Sequence, residues 1–293
     1  MYKKTKNLTG KSAEAINKNK DFNFKERFGT IPKSIMKFKK SDDLMSLIDW
    51  DNSELGKVEG DAKPRGKGYA STIRYSIYNP NQALFILDYY TKPDYLILDP
   101  FMGRATRPVV SLFLGREYIG FDTSSKTVEL NRKILEGKFP EAKYKLYKND
   151  GTEMEKLKSK SEFADTIFTC PPYYNLEKYS GEEGDLSRLS YDDYNKKMDT
   201  FFGNCRRLLK TSDYDKLKFY PLIITVGSVR KGKLGLVDMD FIFQELARKH
   251  EFILYDKLFT ENITPGAGFT FRRNYSYGYV TKNYETTLVF IKI

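Results

Sequence analysis

Two apolar runs in this chain each end in residues that can do chemistry. Tyr95-Leu96-Ile97-Leu98 leads into Asp99-Pro100-Phe101-Met102-Gly103-Arg104-Ala105-Thr106, and Phe168-Thr169 leads into Cys170-Pro171-Pro172-Tyr173-Tyr174-Asn175. In the first, an acid and a glycine turn open a helix, the arrangement that holds a nucleotide-like cofactor at the carboxyl edge of a parallel sheet. With no Cβ at Gly103, the main chain can pass close to a ligand while helix amides point outward. In the second, Pro171 and Pro172 fix carbonyl directions and remove competing donors, and Tyr173 offers a ring face to a flat base. The exocyclic amino group of adenine or cytosine is a poor nucleophile, because its lone pair is delocalised into the ring. A polar strand-end side chain and a proline carbonyl that accept its two hydrogens would localise that pair and aim it. The base must first leave its stack, since the reacting atom cannot be reached inside a duplex.

Further acids stand at the ends of the neighbouring apolar runs. Asp99 is placed to meet a positively charged amino group of the cofactor. Asp122 follows Tyr118-Ile119-Gly120-Phe121, where an acid about twenty residues after the turn reaches two ribose hydroxyls. Asp150 ends a third run and is placed to accept from an adenine amino group. Each is equally a simple strand-end cap when taken alone. The dinucleotide fingerprint Gly-x-Gly-x-x-Gly is absent, because only Gly103 and the small Ala105 stand in the turn.

Cys170 has three readings. It is a strand-end acceptor, though a thiol accepts feebly compared with a carboxylate or amide. It is a nucleophile adding to carbon 6 of a pyrimidine and activating carbon 5, which needs a lowered pKa that its apolar strand opposes. Or it is a small buried thiol that only packs. Arg107, in the first helical turn, is expected to reach toward nucleic acid or the catalytic loop. Thr264 to Tyr277 mixes glycines, rings and the guanidiniums of Arg272 and Arg273, a composition suited to gripping nucleic acid. Asn175, Glu177 and Tyr179 follow the proline pair, where Glu177 either orients the base or stays on a solvated loop.

The elements that must position these residues alternate. Helices are expected over Gln82–Tyr90, capped by Asn79-Pro80, and over Thr106–Leu114, Ser125–Leu135, Tyr191–Leu209 and Phe241–Arg248. Strands are expected over Tyr95–Leu98, Glu117–Phe121, Tyr144–Tyr147, Thr166–Thr169, Tyr220–Val226, Phe252–Phe259 and Thr286–Ile293. Such alternation argues for an α/β domain with a mostly parallel sheet covered on both faces. Residues 1–75 are polar, lysine-rich or irregular and read as a basic N-terminal extension. The catalytic domain is expected over 76–293, with 260–285 a nucleic-acid-contacting insertion.

Composition narrows the partners. The chain has 293 residues, with 50 Lys plus Arg against 39 Asp plus Glu, a formal charge of +11 that favours a polyanion. Two cysteines and one histidine cannot build a disulfide framework or a four-ligand zinc site, so no metal is expected and a reducing cytoplasm is. No segment approaches the ~18 apolar residues of a membrane span.

The quoted motifs carry a resemblance. DPFMGRAT followed by CPPYY is similar to the S-adenosylmethionine-dependent DNA amino-methyltransferases that modify adenine N6 or cytosine N4, whose motifs are an Asp-Pro-Phe-x-Gly-x-Gly turn and an [Asp/Asn/Ser]-Pro-Pro-[Tyr/Phe/Trp] strand end. SIYNPNQALFILDYY, GREYIGFDTSS and CPPYYNLEKYS look most like DNA-modification methylases of bacteriophages and their hosts. The resemblance covers about Arg74 to Lys210 well and the closing strands loosely. It implies a Rossmann-like class I methyltransferase fold, with a mostly parallel seven-stranded sheet and an antiparallel terminal strand. It also implies S-adenosylmethionine as cofactor and DNA as substrate. Asp99, Phe101 and Gly103 would lie along the cofactor, Asp122 on its ribose and Asp150 near its adenine, with Cys170, Pro171, Pro172 and Tyr173 at the target base. Two residues depart from the family pattern: Ala105 replaces the last glycine of the turn, and Cys170 replaces Asp, Asn or Ser. An RNA methyltransferase, pyrimidine carbon-5 modification through Cys170, and a nucleic-acid-binding module without turnover are the alternatives. Oligomeric state is not legible in one chain.

Overall fold

The computed structural model describes residues 33–38, 78–173, 186, 189–230, 235–261, 278 and 283–293. The chain divides into two compact units, Met1–Ser34 and Ile35–Ile293, and the architecture below is that of the second.

Strand β1 is Ile35–Met36. Helix α1, Pro80–Tyr90, begins where the Asn79 side chain accepts from the amides of Asn81 and Gln82, with proline in the first turn, where its missing N–H costs nothing. There follow β2 (Leu96–Asp99), α2 (Thr106–Phe113), β3 (Glu117–Asp122), α3 (Ser125–Lys138), β4 (Tyr144–Lys148) and β5 (Thr166–Thr169). The long helix α4, Tyr191–Leu208, is capped by Ser190, carries Asp192 and Asp193 in its first turn and ends in Arg206 and Arg207, so its charges oppose the helix dipole at both ends. β6 (Pro221–Val226), β7 (Val229–Arg230), β8 (Leu236–Val237), α5 (Met239–Lys249), β9 (Ile253–Glu261) and β10 (Tyr284–Ile291) complete the described elements.

Among the described residues the main sheet has eight strands in the order β1-β9-β10-β6-β5-β2-β3-β4. β2, β3, β4, β5 and β6 pair in parallel, while β10 runs antiparallel to both β6 and β9. The expected mostly parallel sheet with a reversed closing strand is therefore present. The count differs by one: β1 adds to the outer edge, with Ile35 opposite Phe259 and Met36 opposite Thr260. Only two residues pair, too few to show as a periodic apolar run. β7 and β8 form a separate antiparallel pair that was likewise not anticipated.

The central strands are apolar on both faces, as a covered parallel sheet requires. Leu98, Ile167, Leu222 and Ile224 join Met198, Phe201 and Phe202 of α4 and Phe243 and Ala247 of α5 in one buried cluster. Phe168, alternate to Ile167, faces the other way. There it meets the edge of the Tyr78 ring at 5.6 Å and lies under Arg107 of α2. Because β2, β3, β5 and β6 are parallel, their carboxyl ends share one edge, and the reversed β10 brings its first residues to that same edge.

Candidate active site

Asp99 ends β2 fully buried. Its Oδ2 accepts from Arg107 Nε at 2.7 Å and from Tyr118 OH at 2.8 Å, and its Oδ1 accepts from Thr169 Oγ1 at 2.7 Å and from the Phe101 amide at 3.2 Å. The carboxylate expected to meet a cofactor amino group is thus enclosed by the protein's own donors. Thr169 Oγ1 also accepts from the Phe101 amide at 3.2 Å. The residue before Cys170 therefore clamps the turn that begins at Asp99, and the two motifs read separately in sequence form one hydrogen-bonded unit.

Of the two directions expected for Arg107, nucleic acid and the catalytic loop, its burial opposes the first. Only 4% exposed, Arg107 lies beneath the turn, paired with Asp99 and donating to the Phe101 carbonyl. Its guanidinium sits 5.2 Å from the centre of the Tyr78 ring and 6.0 Å from that of Phe168, so aromatic faces complete its shell. Burial acts to discharge it, but the Asp99 carboxylate prevails and holds its pKa above the usual arginine value.

The turn itself is left-handed at Gly103, with φ of +53°. A Cβ there would meet nothing nearer than the Phe101 carbonyl oxygen at 3.9 Å, so glycine serves the backbone conformation, with open space beside it. The Gly103 amide donates to Asp122 Oδ2 at 3.1 Å, and its carbonyl accepts from Asn131 Nδ2 at 2.7 Å. Asn131 is fully buried in α3, and its Oδ1 has no hydrogen-bond partner. Asp122 Oδ1 accepts from the Ser124 amide at 2.8 Å. Burial pushes its carboxyl up to about 6, against the lowering effect of those two amides.

Phe101 packs against Phe201 of α4, ring centres 5.4 Å apart. Asp150 accepts from the amide and hydroxyl of Thr152 at 2.8 and 2.7 Å and from Lys197 Nζ at 2.9 Å. Its neighbour Gly151 is required: a Cβ there would lie 1.8 Å from the Pro100 carbonyl oxygen, so the end of β4 closes directly on the first motif.

At the end of β5, Pro171 is buried and Cys170, Pro172 and Tyr173 are half-buried. Tyr194 of α4 donates to the Pro172 carbonyl at 2.9 Å, fixing the proline pair from below. Tyr173 OH donates to Glu285 Oε1 at 2.9 Å and lies 3.7 Å from Cys170 Sγ. Its ring covers Gly227, where a Cβ would stand 2.8 Å from ring carbon Cε2. Burial pushes the Cys170 thiol up to about 12, outweighing the nearby Arg107, a shift opposite to the lowered pKa that the nucleophilic reading requires.

Sequence reasoning did not find Thr169, Tyr118, Gly151, Gly227, Tyr194 or Glu285. Of these only the glycines left a trace, Gly227 directly after the end of β6 and Gly151 in the turn after β4. Asn175, Glu177, Tyr179, Arg272 and Arg273, with most of the 260–285 segment and of residues 1–75, lie outside the described residues. Among the described residues no group of three or more His, Cys, Asp or Glu is placed to hold a metal ion, and no helix is long and apolar enough to cross a membrane. A surface hollow lined by Gln244, Arg248, Phe252 and Leu254 shares no residue with either motif.

A family model of N6/N4 methyltransferases, described as DNA methylase, matches residues 1–133. That span holds the Asp99–Gly103 turn and Asp122 but stops short of Cys170. No curated protein matches the chain in sequence. Among solved structures, the [4+2]-cyclase SpnF is similar at 12% identity, with a TM-score of 0.51 and 73% of this chain covering 81% of that one. TrmN from Thermus thermophilus is 14% identical, with a TM-score of 0.48, and covers 75% of this chain. The chain spans about half, 51%, of TrmN's length. A geranyl diphosphate methyltransferase in complex with SAM is 11% identical, with a TM-score of 0.47 and coverage of 73% and 86%. At 12% identity the likeness to SpnF is one of fold alone. The mostly parallel sheet with β10 reversed between β6 and β9 agrees with the Rossmann-like α/β fold expected from the sequence.

Proposed function

We propose that this chain is an S-adenosylmethionine-dependent methyltransferase that methylates an exocyclic amino nitrogen, adenine N6 or cytosine N4, of a base rotated out of DNA. The observation that carries the proposal is the Asp99–Thr169 hydrogen bond of 2.7 Å, which sets the cofactor-type turn and the proline-pair strand end side by side. The match of a DNA methylase model to residues 1–133 and the formal charge of +11 support it.

The residues present fit the cofactor. Gly103 leaves open space at the head of α2, and the unpartnered Asn131 Oδ1 and the Asp122 carboxylate flank the same turn. Gly103 and Asp122 would hold the cofactor, Asp122 toward the ribose, with Asp150 and its Lys197 partner at the adenine end. Asp99 acts indirectly by fixing the Phe101 amide and the turn. When bound, S-adenosylmethionine supplies an electrophilic methyl group on a sulfonium.

The chain's own residues do the rest by alignment. Tyr173 offers its ring to the extruded base, and Cys170 and the Pro171 carbonyl accept the two amino hydrogens, which turns the nitrogen lone pair out of the ring plane. Pro172, tied to Tyr194, keeps this edge from shifting. Incubating the protein with tritiated S-adenosylmethionine and either DNA or RNA, then analysing nucleosides by mass spectrometry, tests the proposal. N6-methyladenine or N4-methylcytosine from DNA is expected. Label confined to RNA, label on carbon 5, or no label with binding intact would overturn it in favour of a stated alternative.

A further inference from the structure

The reversed strand β10 places Thr286 opposite Val226, so Glu285 arrives beside Gly227 at the carboxyl edge. There it accepts the hydroxyl proton of Tyr173 at 2.9 Å. A phenol has one proton to give. With that proton committed to a carboxylate, the hydroxyl's other contact among the described residues, Cys170 Sγ at 3.7 Å, takes the thiol as donor. The thiol then points its only hydrogen at Tyr173 and leaves its lone pairs exposed on the other side of the sulfur.

We propose that Glu285 is a positioning residue which, acting through Tyr173, turns the Cys170 thiol so that its sulfur lone pairs face the target amino group. A thiol is a weak acceptor, and one whose proton is free to rotate would in some rotamers oppose the amino hydrogens. A carboxylate at the end of the chain removes that ambiguity. Gly227 is part of the device, because any larger residue would displace the Tyr173 ring that transmits the orientation. The role of the sulfur as acceptor rests on the amino-methylation reading above; the direction of the thiol does not.

The two parts are tested separately. The S–H infrared band is compared between the parent protein and Tyr173→Phe or Glu285→Gln. The only other cysteine, Cys205, is buried elsewhere and cancels in the difference spectrum. Loss of the oxygen acceptor in Tyr173→Phe should move the Cys170 band to higher frequency, and Glu285→Gln should broaden or move it. An unchanged band in both variants would overturn the proposal, whether or not the protein methylates anything. For catalysis, Glu285→Gln should lower kcat by about five- to tenfold with KM little changed, the worth of one oriented hydrogen bond. In a Cys170→Asn background, whose amide supplies a fixed acceptor, the same substitution should cost less than about twofold. Equal losses in both backgrounds would assign Glu285 a merely structural role. An absence of methyl transfer by the parent would instead fault the functional reading.

Discussion

Thr169 Oγ1 donates to Asp99 Oδ1 at 2.7 Å, joining the ends of two adjacent strands whose residues stand 70 apart in sequence. Replacing Thr169 by Val keeps the β-branched shape and removes the donor, leaving a fully buried carboxylate one hydrogen bond short. A loss of about 1–3 kcal/mol in folding stability is expected from urea denaturation, with weaker cofactor binding by calorimetry. Unchanged values for both would mean that the clamp does not hold the turn.

Arg107 is expected to matter for folding and not for nucleic-acid affinity. Arg107→Met strands the buried Asp99 without its counterion and should destabilise the protein by roughly 3–5 kcal/mol. The salt dependence of DNA binding by the folded fraction should keep its slope. A slope shallower by about one unit would return Arg107 to the list of phosphate contacts.

The protonation state of Cys170 is directly measurable. With the thiol pushed up to about 12, only a very small fraction is expected to be ionised near neutral pH. Alkylation by iodoacetamide should be slow at neutral pH and still rising at pH 10, and Cys170→Ser should retain methyl transfer. Fast alkylation at pH 7, or abolition of activity by serine, would favour the thiolate mechanism.

Asp122 gives a pH dependence with opposite signs for binding and folding. Its carboxyl is raised from 3.8 to about 6, so a ligand that needs the carboxylate loses about tenfold in affinity between pH 7 and pH 5. The raised value also favours the folded state fully below about 3.8, and that contribution disappears as pH rises through about 6. Isothermal titration of sinefungin and denaturant melts across this range should therefore trend in opposite directions. Asp122→Asn should flatten both, and a parent profile already flat in both would show that the carboxyl is not raised.

Two glycines separate packing from alignment. Gly151→Ala drives a methyl group into the Pro100 carbonyl and should cost stability outright, whereas at Gly227→Ala the nearest atoms are those of the Tyr173 ring, so the change should mainly reduce kcat. Comparing thermal midpoints with methyl-transfer rates distinguishes them, and equal effects of the two substitutions on both readouts would contradict this division.

How much of this was legible in the sequence depends on the range over which each feature acts. Strands such as Leu96–Asp99 and Thr166–Thr169, and capped helices such as Pro80–Tyr90, announce themselves through local periodicity and punctuation. The order of the motifs also located both strand ends. Which side chains are consumed inside the protein did not show, because the partners of Asp99 come from α2, β3 and β5 and meet only in three dimensions. An acid at a strand end therefore reads the same whether it faces a ligand or a buried arginine. Glu285 was invisible for a similar reason: it stands 112 residues from Tyr173 and is brought there by the reversal of one strand.

That reversal also shapes how the molecule can be made. β10 lies between β6 and β9 rather than at a margin, and through the Thr287 hydroxyl it is tied to Gln82 of α1 across 205 residues. During synthesis the sheet stays split until residues near Ile291 have left the ribosome, and until then two long strand edges stand open to other nascent chains. Chains interrupted shortly before that point, with the edges of β6 and β9 uncovered, are therefore expected to aggregate more readily than chains that include β10.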